Sequence, residues 1–172
     1  MTAIPEQAEH ALVERKEIFI NGEWLESSGR DTIAVVNPAT EETIAKVVSG
    51  TAQDVDLAAR AAAEAFPAWS QTTIEERAAA LRRLADLIET RADEITRLIV
   101  SEVGQPIALA TNSQTAVAVR DLRNFADSVG EVEWEEHVDN FVVRREPAGV
   151  VGAIGLIDAV VPAPAAGAMP AA

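Results

Sequence analysis

The sequence predicts an α/β fold. Three observations carry that reading. Short β-branched segments and turn residues crowd the first part of the chain. Four stretches of helical periodicity fill the middle. A short, almost wholly apolar run, Val150–Ile154, then follows Pro147 and Gly149. Such a run, bounded by turn residues, is expected to be a strand buried on both faces of a parallel sheet, and the end of such a strand is where α/β proteins place a ligand.

Taken in order, residues 1–15 read as a leader or the start of a short helix. In Ile18–Leu25, Asn21-Gly22 sits between two apolar segments, the pattern of a hairpin whose turn needs positive φ at both central residues. Ser27 to Arg30 reads as a loop. Thr32–Val36 is a β-branched strand closed by Asn37-Pro38, and Thr43–Val48 is another. Thr51 to Asp54 resembles a capping box and opens a helix with Val55, Ala58, Ala59, Ala62, Ala63 and Phe66 on one face, ended or kinked at Pro67. Thr73 to Glu76 is a capping box opening a second helix, with Ile74, Ala78, Leu81, Leu84 and Ile88 inward. Ala92–Val103 is a third, with Ile95, Leu98 and Ile99 inward and Gly104 as its cap. Pro106 suits the first turn of a fourth, which carries Ala118, Leu122, Phe125 and Val129 on one face. Phe141 to Arg145 is extended and charged, a ribbon leading out of the helices.

Composition narrows the function. The 172 residues fit one domain or a little more, and with aromatics at 4% the aliphatic side chains must fill the core. The formal charge of −14 argues against nucleic acid or an anionic membrane as partner. No cysteine is present, which excludes disulfides, thiolate metal sites and a cysteine nucleophile supplied by this sequence. No apolar run approaches the ~20 residues of a membrane-spanning helix, and Met1 to Glu17 has no apolar signal core. A cytoplasmic location is the expectation.

Local chemistry offers few candidates. His10 and His137 lie far apart without ligand-like neighbours. Ser27, Ser28, Ser70, Ser101, Ser113 and Ser128 stand in no nucleophile elbow. Gly149-x-x-Gly152-x-x-Gly155 has phosphate-loop spacing but lies within the apolar strand, where a dinucleotide fingerprint would follow it. Glu75/Glu76 and Glu135/Glu136 read as solvated faces.

Six motifs nevertheless fall in one order: Ile18-Phe19-Ile20-Asn21-Gly22-Glu23-Trp24; Val36-Asn37-Pro38-Ala39-Thr40-Glu41-Glu42; Ala65-Phe66-Pro67-Ala68-Trp69-Ser70; Arg77 through Arg91 with Leu84-Ala85-Asp86-Leu87-Ile88; Glu102-Val103-Gly104-Gln105-Pro106; and Arg145-Glu146-Pro147-Ala148-Gly149-Val150-Val151-Gly152-Ala153-Ile154. Over residues 16–154 this order resembles the N-terminal portion of the NAD(P)-dependent aldehyde dehydrogenase superfamily. The resemblance implies a parent enzyme that oxidises an aldehyde to a carboxylic acid through a thioester and passes hydride to NAD or NADP. It implies the N-terminal part of a Rossmann-like cofactor domain with an incomplete sheet: hairpin, four-helix segment, extended ribbon and first buried parallel strand. The hairpin and ribbon would serve oligomerisation.

The expected organisation is thus a leader at 1–15, hairpin, strands and helices over 16–136, an oligomerisation ribbon at 137–149, the first Rossmann-like strand at 150–158 and an Ala/Pro-rich tail at 159–172. The resemblance implies that Ile154, Gly155, Leu156, Ile157 and Asp158 fall at the cofactor-lining positions. In that frame Asp158 takes the place of the family's oxyanion asparagine, and an ionised Asp cannot donate a hydrogen bond there; the other reading is that residues 155–172 are a frame-shifted stretch with no counterpart in the family. The family's nucleophilic Cys and general-base Glu have no counterpart in this sequence. The expectation is therefore a chain inactive alone and binding no cofactor by itself, with an aldehyde substrate and homo-oligomeric assembly belonging to the parent. A non-catalytic assembly module and a truncation product without function are the other readings. With the sheet unfinished, Val150, Val151, Ala153 and Ile154 should be more exposed than in a complete domain.

Overall fold

The computed structural model describes residues 12–154. They form two compact units, one ending at Ala61 and one beginning at Ala62, with the division inside a helix.

The first unit is built on strands. β2 (Glu17–Ile20) and β3 (Glu23–Glu26) form the hairpin, with Phe19 directly opposite Trp24. Asn21 (φ 53°) and Gly22 (φ 82°) supply the positive φ that the turn requires. The Phe19 and Trp24 rings stack obliquely, with centroids 5.3 Å apart. β4 (Thr32–Val36) and β5 (Thr43–Val48) pair antiparallel and coincide with the two strands read from sequence. Residues 1–15 were expected to be leader or helix, but Val13–Arg15 is a strand, β1, pairing parallel with β5 to give the order β1-β5-β4. Its backbone groups find partners along the free edge of β5, a long-range pairing that local propensity does not report.

α1 (Ala52–Ser70) runs three residues past Pro67. Proline removes one amide donor but need not end a helix so near its C-terminus, and the Pro67 carbonyl accepts from Ser70 Oγ at 2.9 Å. The apolar face expected on α1 is largely exposed, Val55 included, and the buried residue is Asp54.

The second unit is helical. α2 (Ile74–Thr90) opens with the expected capping box: Thr73 Oγ1 accepts from the Glu76 amide at 3.1 Å, and Glu76 Oε2 accepts from the Thr73 amide at 2.7 Å. α3 (Ala92–Val103) ends at Gly104 (φ 74°), whose amide donates to the Val100 carbonyl. The fourth helical stretch is less regular than its periodicity suggests. It runs as α4 (Ile107–Leu109), a π-helical turn (Ala110–Thr115), α5 (Ala116–Ser128) and a 3₁₀ turn (Val129–Glu131), and Pro106 stands just before its first residue.

The core lies between α2 and α5. Ala85, Val119 and Leu122 are buried, and Leu81, Leu84 and Ile88 close over them. Two residues expected inward on these helices are exposed. Leu98 is exposed, and Thr96 is buried in its place because its hydroxyl pairs with Thr115 of the π turn at 3.1 Å. Phe125 is at the surface, and Ala126, the small residue beside it, takes the inward position.

After the 3₁₀ turn, β6 (Glu135–Val138) and β7 (Phe141–Arg144) form the ribbon as an antiparallel hairpin turning through Asp139 (φ 51°). The expected strand at Val150–Ile154 is not formed: these residues carry no regular secondary structure and pair with no strand among the described residues. Val150 and Val151 are about half exposed and Ile154 is fully exposed. A parallel strand is held by neighbours on both sides, and without them only the predicted exposure remains.

Candidate functional site

Two local constructions position the segments expected to matter, one in each unit. In the first, α1 begins at a buried carboxylate. Asp54 accepts from Ser27 Oγ (2.7 Å), the Ser28 amide (3.0 Å), Ser28 Oγ (3.0 Å), the Thr51 amide (2.8 Å) and Thr51 Oγ1 (3.0 Å). The Ser28 amide, the Ser27 hydroxyl and the Thr51 amide hold its pKa well below the usual aspartate value, outweighing the opposing effect of desolvation. This knot pins the 27–29 loop to the start of α1. Gly29 fits closely there: a Cβ would meet the Ser49 carbonyl oxygen at 2.6 Å. The capping pattern Thr51 to Asp54 pointed to half of the knot. The two serines were legible only as a loop.

In the second unit, the ribbon leaves the helices at Trp134. Its indole Nε1 donates to the Val129 carbonyl at 3.3 Å, and the Arg77 guanidinium lies over its ring, 5.6 Å from the centroid. The Arg145 amide donates to the Trp134 carbonyl at 3.0 Å, and Arg145 Nε donates to the Glu133 carbonyl at 3.1 Å. These bonds close the base of the hairpin immediately before Glu146-Pro147-Ala148-Gly149, where the chain turns toward the expected cofactor strand. Elsewhere on the helices, Arg123 bridges α5 to Asp86 and Glu89 of α2, and its hydrogen bonds hold the Glu89 carboxyl below its ordinary range. Arg91 does the same for Glu94.

A groove of about 450 Å³ opens beside the π turn, lined in part by Asp93, Thr96, Thr111, Thr115 and Arg120. Among the described residues no group of His, Asp or Glu is arranged to hold a metal ion, and no helix is long and apolar enough to cross a membrane.

Of the sequence-predicted site residues, Ile154 is described and its side chain is open to solvent. Gly155, Leu156, Ile157 and Asp158 lie outside the described residues.

The model of the aldehyde dehydrogenase family matches residues 24–171. A putative aldehyde dehydrogenase of Staphylococcus aureus is 38% identical over 136 residues, which are 79% of this chain and 29% of that protein. The chain thus spans under a third of the length of such relatives. Aldehyde dehydrogenase C of Pseudomonas syringae, solved with NAD+ and octanal, is 38% identical with a TM-score of 0.74, covering 77% of this chain and 27% of that one. The Mycobacterium tuberculosis enzyme solved with NAD+ is 33% identical with a TM-score of 0.74, covering 80% and 30%. The mixed α/β fold with incomplete sheets resembles the N-terminal part of the NAD-binding domains of these enzymes. On the family match and on these likenesses, the chain belongs to the aldehyde dehydrogenase family.

Proposed function

We propose that this chain supplies the opening segment of the cofactor domain of an enzyme that oxidises an aldehyde to a carboxylic acid, with NAD+ or NADP+ taking the hydride. The observation that carries the proposal is the likeness, at 38% identity, to a structure solved with NAD+ and octanal together. In this reading the backbone of Ile154, Gly155, Leu156 and Ile157 lines the cofactor, and Asp158 stands where the family places its oxyanion donor. Aldehyde oxidation through a thioester needs a thiolate nucleophile, and this sequence has no cysteine. The chain's own contribution is therefore a scaffold: the helices carry the start of the sheet, and the joint at Trp134 sets where the cofactor strand begins.

The purified chain, given octanal with NAD+ or NADP+, should produce no reduced nicotinamide above its aldehyde-free control. Aldehyde-dependent reduction, with contaminating enzyme excluded by mass spectrometry, overturns this division of labour.

One observation favours an assembly role alongside it. Phe141, Val142 and Val143 place exposed apolar side chains on both faces of the β6–β7 ribbon. A two-stranded ribbon with open edges and apolar faces is suited to pairing with another copy. Homo-oligomerisation through the ribbon and residence in the cytoplasm complete the proposal.

A further inference from the structure

We infer that Arg77 is a positioning residue for the β6–β7 ribbon: through the face of Trp134 it fixes the direction in which the ribbon leaves the helices. Each ribbon strand packs chiefly on the other, and none of their side chains is fully buried. An isolated two-stranded hairpin is marginal in water, so the ribbon's orientation must be set at its base. The base is Glu133, Trp134 and Arg145. Trp134 reaches the helical core in two ways, through its indole bond to the Val129 carbonyl and through the guanidinium of Arg77. Arg77 lies in the first turns of α2, and its Nη1 also donates to the Thr72 carbonyl at 3.0 Å in the α1–α2 connection. Its buried Nε–H meets no acceptor among the described residues. The carbonyl and the ring therefore hold this guanidinium, and no carboxylate near it is close enough to form an ion pair among the described residues. The Trp134 carbonyl in turn accepts the Arg145 amide, which joins β7 to the same point. One cation thus links the α1–α2 connection, the start of β6 and the end of β7.

The inference rests on the assembly reading only for its consequence, since a ribbon with a fixed direction presents one face to a partner. The test uses the whole 172-residue chain, with site-resolved amide hydrogen exchange on dilute samples. Arg77→Gln should speed exchange at the β6–β7 cross-strand amides by about two- to fivefold, the range of a partly exposed cation–π contact, and leave the Val119–Ala126 amides of α5 unchanged. Trp134→Leu, which also loses the indole bond to the Val129 carbonyl, should speed it at least as much, and adding Arg77→Gln to it should bring no further acceleration, because the ring under the cation is already gone. Arg77→Lys, which keeps a cation over the ring, should restore the slow exchange. Equal acceleration in ribbon and α5, additive effects in the double variant, or no rescue by lysine would each show a merely structural side chain and overturn the inference. Sedimentation on the same samples reports separately whether the ribbon self-associates, so failure of the joint and failure of the assembly reading give different results.

Discussion

Leu122 is the largest side chain in the described residues to be wholly shielded from solvent. It lies where α5 crosses α2, against Ala85 and Val119, under Leu81, Leu84 and Ile88. Leu122→Ala removes three carbons, worth about 0.8 kcal/mol each in transfer free energy, or about 2.4 kcal/mol. The neighbours are helix side chains that can only partly collapse into the space, so a cavity cost adds to the transfer cost and brings the total to about 3–5 kcal/mol. For a unit of this size each kcal/mol lowers Tm by roughly 4–8 °C, so a fall of at least about 12 °C is expected. Urea and thermal unfolding followed by helical circular dichroism measure it. Leu98→Ala is the internal control: Leu98 was a core candidate by periodicity, but its side chain is about half exposed, and its loss should cost about 1 kcal/mol or less. Equal costs for the two variants would refute the placement of the core between α2 and α5.

Two further predictions concern carboxylates. Because Asp54 has a depressed pKa in the folded chain, its contribution to stability is complete above the ordinary aspartate range and is lost as pH falls through and below that range. Asp54→Asn should therefore destabilise the chain at neutral pH and flatten the acid limb of a stability-versus-pH curve, which unfolding at stepped pH would reveal; an unchanged acid limb would mean the knot does not persist in solution. Asp158→Asn, placed in a longer protein that supplies the nucleophile, should raise turnover by about 100–1000-fold with little change in cofactor affinity, the scale of one oxyanion donor. Steady-state kinetics test it, and unchanged turnover would remove Asp158 from the reacting centre.

Where local chemistry decides the structure, the sequence was readable. Asn21-Gly22 demands a left-handed turn and forms one. Thr73 with Glu76 is a reciprocal cap and is observed as such. Gly104 ends α3 in the conformation that glycine tolerates best. Where distant contacts decide, the reading stopped short. β1 exists because β5 offers an edge, and nothing in Val13–Arg15 announces that partner. The π turn at Ala110–Thr115 has no sequence signature of its own, since its hydrogen-bond shift accompanies the buried Thr96–Thr115 pair across helices. Periodicity placed Leu98 and Phe125 inside because it weighs apolarity and ignores the neighbouring helix, which prefers the smaller Thr96 and Ala126. The Arg77–Trp134 joint was equally hidden, because its two residues are joined by folding and not by spacing. The candidate cofactor positions were legible only through family likeness: an apolar run with glycines carries no chemistry until a ligand is set against its backbone.

The central claim is that residues 16–154 are a working opening segment of an aldehyde-oxidising cofactor domain. The most direct measurement replaces the matching segment of the Pseudomonas syringae relative with these residues and assays the folded chimera for NAD+ binding by calorimetry and for octanal oxidation. A chimera that binds NAD+ and oxidises octanal is the predicted result. A chimera that folds and assembles yet binds no NAD+ would contradict the claim.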